Sequence, residues 1–364
     1  MSKSKILLGS NAFKESVELV AKKATKSFFV QAMTFEGDDA GKWLISVMKS
    51  SPAKEKKILI DSYSKVVIND QFIFSTKYWS DKEFRKEVLN TKTLIKEAIE
   101  AGIEVKFTNP VGWVGQKYPL RNHKKMVIID EQYCYLGGIN FSDHNFSWHD
   151  MMISLDSLDL GNRLGNDFRE TQKDNNQSKE IETDKGVLYL LNGIKSKGIY
   201  DSLFKRISSA KQSVEVISPY ISEPLLNVLK LTASKGVQIT IITPKVNNKS
   251  IFKNLILAEK DKGYFQLKEY PGMSHMKAVL IDGEELLFGS SNYDLISYYF
   301  EQEVVLCSKD TGIITQFQNL VLKDVQKYSE DESISKWSVR KASIIMSLVN
   351  GFGKVASKSF LRPR

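Results

Sequence analysis

Two cysteines in 364 residues cannot make a disulfide framework, and Cys134 and Cys307 each lie in an apolar, strand-like stretch. They read as buried thiols, which fits a reducing compartment. No His/Cys/Asp/Glu cluster has metal-ligand spacing, so no metal or other cofactor is expected. No apolar run approaches the roughly 20 residues that a spanning helix needs. The opening residues, MSKSKILLGSNAFKES, lack the apolar core and cleavage site of a secretory signal. A soluble or peripheral protein on the cytoplasmic side is expected. With 42% hydrophobic and 26% charged residues the chain is not disordered. The body also lacks a strong charge. From Lys336 to Arg364 there are seven Lys or Arg and no acid, and removing these seven from the net +9 leaves +2 for residues 1–335.

What the chain does have is one motif written twice. His123-x-Lys125 is followed by Asp130, and His275-x-Lys277 by Asp282, at the same spacing. Each copy runs into a small-residue turn ending in asparagine, Gly137-Gly138-Ile139-Asn140 and Gly289-Ser290-Ser291-Asn292. Acids recur as well: Asp150 lies ten residues after Asn140, and Glu303 eleven after Asn292. Paired histidines, lysines and asparagines suit phosphodiester transfer. One imidazole attacks phosphorus, the other protonates the leaving oxygen, and Lys and Asn hold phosphoryl oxygens. A carboxylate on one imidazole nitrogen fixes the tautomer, and Asp150 and Glu303 are assigned that orienting role toward the histidine of the opposite half. Asp130 and Asp282 read as structural, closing the loop after each motif strand. His144 and His149 have no counterpart in the second half and read as surface or loop histidines.

The rest of the chain repeats with the motifs. ILLGS (6–10) and YLLNG (189–193) each precede a helical stretch. The apolar runs 27–35 and 213–221 follow, then a helix, then the strands 57–63 and 237–244. MVIID and AVLID carry the motif lysine and aspartate onto buried strands. Alternating elements with apolar strands argue for α/β units, each a sheet covered by helices on both faces, and the repeat argues for two of them side by side. The expected organisation is a first unit over 1–171, a linker over 172–185, a second unit over 186–328 and a basic tail over 329–364. Residues 64–98 read as a polar and aromatic insertion at the rim of the site.

These residues resemble the phospholipase D superfamily, whose HxK(x4)D signature stands here twice, over nearly the whole chain to about residue 328. RNHKKMVIID with YLGGINFSDHNFSWHD, and SHMKAVLID with GSSNYD and QEVVL, resemble the two motifs of bacterial cardiolipin synthases. The resemblance implies two tandem α/β/α sandwich units related by pseudo-twofold symmetry, with one shared active site between them. It implies transfer through a phosphohistidine without metal, with His123 as nucleophile and His275 as general acid and then base. Lys125, Lys277, Asn140 and Asn292 would bind the phosphoryl oxygens. The residues themselves leave that polarity open. Departures from the family pattern are His149 where Arg is commoner, Tyr293 where Leu is, and the missing N-terminal spanning helices.

Residues 336–358 form an amphipathic helical pattern. Lys336, Arg340, Lys354 and Lys358 share one face, and Trp337, Ile344, Leu348, Phe352 and Val355 the other. Trp337, Arg340, Lys341, Lys354 and Lys358 are the candidate contacts to an anionic phospholipid membrane surface. A terminal helix packed on the body is the alternative. The loop NPVGWVGQKYPL, with Trp113 and Tyr118, suits either a membrane interface or a substrate gate. The expected function is a peripheral phosphatidyltransferase on the inner face of the membrane, cardiolipin synthase-like, acting on a phospholipid substrate. A hydrolytic phospholipase D uses the same residues. A nuclease of the superfamily would need a basic body, which +2 disfavours, so no obligate nucleic acid is expected. A dead membrane scaffold would have lost a motif residue, and none is lost.

Overall fold

The structure, a computed structural model, describes residues 4–113, 115–323 and 338–361. The chain divides into two compact units, Met1–Asn176 and Gln177–Arg364, each built on a mixed sheet. The first unit contains strands β1 (Lys5–Leu8), β2 (Ser27–Ala32), β3 (Glu55–Asp61), the short β4 (Val67–Ile68) and β5 (Gln71–Phe72), β6 (Glu104–Thr108), β7 (Met126–Ile129), β8 (Tyr133–Gly137) and β9 (Met151–Asp156). Its main sheet runs β1-β9-β8-β7-β2-β3-β6. The β2, β3 and β6 strands are parallel, and the helices Asp39–Ser50 and Lys82–Glu100 make their crossovers.

Strand periodicity splits the sheet's side chains between two covered faces. On one, Phe28, Val30, Ile58, Ile60, Val127 and Ile129 pack with Phe13, Val17, Leu44, Met48 and Leu94 of the covering helices. On the other, Phe29 stacks on Phe168 of the helix Leu158–Gln172, with centroids 4.7 Å apart and planes 7° from parallel. Each large side chain buried this way contributes roughly 1.5–3 kcal/mol. The unit is therefore an α/β/α sandwich.

The second unit contains β10 (Lys179–Thr183), β11 (Gly186–Asn192), β12 (Ser213–Ile217), β13 (Gln238–Pro244), β14 (Gln266–Tyr270), β15 (Ala278–Ile281), β16 (Glu285–Gly289) and β17 (Gln302–Ser308). Its order is β10-β11-β17-β16-β15-β12-β13-β14. Without β10 this is the order of the first sheet, strand for strand. The register agrees too: Phe28 faces Ile129 in the first unit as Val214 faces Ile281 in the second.

Two expectations need correction. The stretch 172–185, read as a linker, carries β10, an edge strand on β11. Its sequence Lys-Glu-Ile-Glu-Thr is polar because an edge strand faces water, and composition does not separate that from a linker. The stretch 64–98 is not all insertion. The helix Lys82–Glu100 joins β3 to β6 as the helix Ser250–Lys260 joins β13 to β14, and it buries Phe84, Val88, Leu94 and Ala98 at helical spacing. The additional part is the turn Ser62–Lys65, the β4-β5 hairpin and the helix Thr76–Ser80.

The tail is a helix over Val339–Leu361, counted within the second unit. Trp337 and Lys336 lie outside the described residues. Among the described residues no helix is long and apolar enough to cross a membrane.

Candidate functional site

The two motif histidines lie in the segments that lead into β7 and β15, and both are buried at 5% exposure. The strands begin one residue after the lysines, so Lys125 and Lys277 stand at the strand mouths rather than within them. Lys125 Nζ donates to the carbonyl of His123 at 2.8 Å, and Lys277 Nζ makes the same contact to the carbonyl of His275. Both lysines are buried. An ammonium taken out of water needs strong acceptors, and a phosphoryl group is one.

Asn140 and Asn292 follow β8 and β16. Asn140 Oδ1 accepts the Thr34 N–H at 3.2 Å, and Asn140 Nδ2 lies 3.5 Å from Asn145 Oδ1. Asn292 accepts the Ser218 hydroxyl on its backbone carbonyl at 2.8 Å, while its own Oδ1 is buried with no hydrogen-bond partner. A buried amide oxygen without a donor is uncommon in a folded core.

The carboxylates are structurally equivalent despite the one-residue difference in spacing. Gly138 N–H donates to Met151 O at 3.2 Å, and Ser290 N–H to Val304 O at 2.9 Å, so the preceding residues Asp150 and Glu303 correspond. Both are buried. Their supports differ. A Cβ on Gly138 would collide with the Asp150 carboxylate, so only glycine leaves it room. In the second unit Ser290 takes that place, and its hydroxyl donates to Glu303 Oε2 while Ser297 Oγ donates to Oε1 at 2.8 Å.

Asp130 and Asp282 each end a motif strand with left-handed backbone, φ 55° and 53°. Asp130 accepts the N–H groups of Thr25, Lys26 and Ser27, and Asp282 those of Lys211, Gln212 and Ser213. Burial opposes their ionisation, but these N–H groups outweigh it and hold both carboxyls below the ordinary aspartate range. The carboxylates thereby tie the ends of β7 and β15 to the starts of β2 and β12.

One layer of the first unit was not picked out from sequence. Arg121 Nη1 donates to Asp61 Oδ1 at 2.7 Å, and both side chains are buried. Asn122 accepts from Gln31 Nε2 at 2.8 Å and donates to Thr108 Oγ1 at 3.2 Å. Lys124 Nζ meets Asp167 at 2.7 and 2.6 Å, again buried. Polar pins therefore fix the residues on both sides of His123. Burial pushes the Asp61 carboxyl up to about 7 against the pull of Arg121 and of the Asn122 and Tyr63 N–H groups. In the second unit the corresponding residues are Met273, Ser274 and Met276, and Met276 is fully buried. The signal was present as RNHKK against MSHMK: charge inside an otherwise apolar approach to a strand needs buried partners.

A second polar region lies in the first unit. Glu36, Asp38, Glu87, Asp143 and His144 line a cavity of about 270 Å³. Glu36 is buried, accepts the Asn69 N–H at 2.9 Å, and has Oε2 3.9 Å from His144 Nδ1. Burial raises its carboxyl to about 8 and lowers the His144 imidazole. His144 is thus a half-buried cavity residue rather than a simple surface histidine.

The chain is similar to known proteins over most of its length. The family described as "Cardiolipin synthase, PLD-like domain" matches residues 20–171 and 203–325. A probable cardiolipin synthase of Bacillus subtilis strain 168, YwiE, is 24% identical over 369 residues, covering 92% of this chain and 68% of its own. A cardiolipin synthase of Clostridium perfringens strain 13 is 23% identical over 387 residues, covering 96% of this chain and 75% of its own. Among solved structures, phosphatidylserine synthase of Haemophilus influenzae Rd KW20 shares the fold, with a TM-score of 0.68 at 14% identity over 98% of this chain and 94% of that one. With a family match over both halves and the doubled motif intact, this chain belongs to the cardiolipin synthase, PLD-like domain family and is an enzyme of the phospholipase D superfamily.

Proposed function

We propose that the chain is a phosphatidyltransferase that moves a phosphatidyl group from a phospholipid to an alcohol, in the manner of a cardiolipin synthase. The observation that carries this reading is the matched set His–Lys–Asn–carboxylate at equivalent registers of both units, none of it replaced. His123 attacks phosphorus, the bond to the headgroup oxygen breaks, and His275 protonates that oxygen. His275 then takes the proton of the acceptor hydroxyl, which attacks the phosphohistidine and frees His123. Lys125, Lys277, Asn140 and Asn292 hold the phosphoryl oxygens, and their donors supply the charge stabilisation without a metal. Asp150 and Glu303 orient the imidazoles. The family match and the relatives' names support the phospholipid substrate. The acid-free basic stretch from Lys336 to Arg364 supports work at an anionic membrane surface, on the cytoplasmic face where such lipids concentrate.

The test is a product assay. The protein is incubated with phosphatidylglycerol vesicles and chelator beside His123→Ala and His275→Ala, and lipids are read by mass spectrometry. Cardiolipin plus glycerol, absent in both variants, is the expected result. Phosphatidic acid as main product would make the chain a hydrolase. No lipid turnover, with cleavage of DNA or RNA that both variants lose, would overturn the lipid substrate.

A further inference from the structure

The helix Val339–Leu361 docks on the second unit through its small residues. Ala342 is fully buried and Ser357 is 9% exposed. Tyr299 Oη donates to Asn350 Oδ1 at 3.0 Å. Gly353 lies so close to the Tyr299 ring that a Cβ there would stand 2.9 Å from Cδ2. The partners are the helices Leu295–Tyr299 and Ser250–Lys260.

On the opposite side the large apolar residues face water. Ile344, Leu348, Phe352 and Val355 are 51%, 68%, 69% and 70% exposed. Their spacing of four, four and three residues aligns them in one stripe. An ordinary terminal helix buries such a stripe and leaves small and polar residues outside. Here the arrangement is reversed. Arg340, Lys341, Lys354 and Lys358 are exposed on the same helix, and residues 338–361 contain no acid.

An outward apolar stripe with a purely basic border selects its occupant by charge. A second copy of the same face would bring like charges together, which disfavours a symmetric dimer through it. An acidic headgroup layer over an apolar interior matches both features. We infer that this stripe seats the second unit on an anionic phospholipid bilayer. Ile344, Leu348, Phe352 and Val355 enter the boundary between headgroups and acyl chains, and Arg340, Lys354 and Lys358 reach the phosphates. The choice of a lipid surface rests on the phosphatidyltransferase reading, but the test does not use activity.

The full chain is sedimented with vesicles of phosphatidylcholine alone or mixed with phosphatidylglycerol, beside Leu348→Ser/Phe352→Ser and Lys354→Gln/Lys358→Gln. All four positions are exposed, so the variants are expected to fold, and circular-dichroism melting curves check this. Wild type should prefer the anionic vesicles by about tenfold or more, and Leu348→Ser/Phe352→Ser should lose about tenfold in partitioning. Each removed lysine should cost roughly fivefold at low salt, with the difference vanishing at high salt. Unchanged vesicle binding in Leu348→Ser/Phe352→Ser would overturn the inference, as would equal binding to both compositions. So would a dimer, seen by light scattering, that this variant dissociates without changing vesicle binding. Stripe-dependent binding without any lipid product would sustain this inference and overturn the proposed reaction. Product from detergent-dispersed lipid with stripe-independent binding would do the reverse.

Discussion

Replacing Asp167 by leucine strands the Lys124 ammonium inside the first unit, one residue from His123. The pair is almost fully buried, at 1% and 3% side-chain exposure, and the ammonium touches both carboxylate oxygens at 2.7 and 2.6 Å. Breaking a buried pair by removing one partner costs about 3–5 kcal/mol, because the remaining charge is uncompensated. In a unit of this size that corresponds to a fall in melting temperature of roughly 10 °C. Removing both charges should behave differently, since the second unit buries Met276 at the position equivalent to Lys124. The double variant Lys124→Met/Asp167→Leu should therefore return to within about 1 kcal/mol of wild type. Thermal and urea unfolding of wild type, the two single variants and the double variant close the cycle. Since each single variant leaves one buried charge unpaired, the expected coupling is at least about 5 kcal/mol in favour of changing both residues together. Additive losses, with the double variant as unstable as the two singles combined, would refute the account of Lys124 and Asp167 as a self-contained pin.

Three further outcomes follow from the same geometry. Glu36→Gln should abolish a pH slope. The folded carboxyl titrates near 8 against an ordinary 4.5, so its stabilising contribution is complete below about pH 4.5 and lost as pH rises through 8. The variant's unfolding free energy relative to wild type, from urea melts, should therefore grow between about pH 5 and pH 8.5, reaching about 2–4 kcal/mol, and a difference that stays flat across that range rejects the assignment. Asp130→Ala frees the N–H groups of Thr25, Lys26 and Ser27 and should cost about 1–2 kcal/mol at neutral pH. Because the folded carboxyl titrates below its unfolded value, the gap to wild type in denaturant melts should persist above about pH 4 and close on further acidification. Gly138→Ala drives a methyl group into the Asp150 carboxylate and should cost about 1–3 kcal/mol together with most of the turnover, whereas Gly198→Ala, with open space around it, should leave turnover unchanged.

The repeat was legible because the same residue types recur at matched spacing: a histidine, a lysine, an asparagine and strands apolar on both faces. That the two sheets share one strand order, apart from β10, accords with it. The polar pins were hidden because their partners are far apart in sequence. Asp61 and Arg121 are 60 residues apart, Lys124 and Asp167 are 43, and no local pattern links them. Edge strand β10 and the helix Lys82–Glu100 were misread for a related reason. Half-exposed elements are polar in composition, and only their pairing separates them from linkers and insertions. The tail's periodicity disclosed a helix, but not that its small residues would be used for docking while the basic and the large apolar residues are exposed together. That depended on Tyr299 presenting a flat ring to Gly353.

Strand β10 also bears on how the second unit behaves when cut from the chain. It covers the outer edge of β11, whose residues Val187 to Leu191 are all buried. Of its own five residues, Lys179, Glu180 and Glu182 are charged, an edge that discourages pairing with other chains. A fragment beginning after Thr183 would expose the backbone of Val-Leu-Tyr-Leu-Leu as a bare apolar edge. Truncations made on the assumption that 172–185 is dispensable would then yield aggregates, whereas fragments that keep residues 177–185 would stay dispersed.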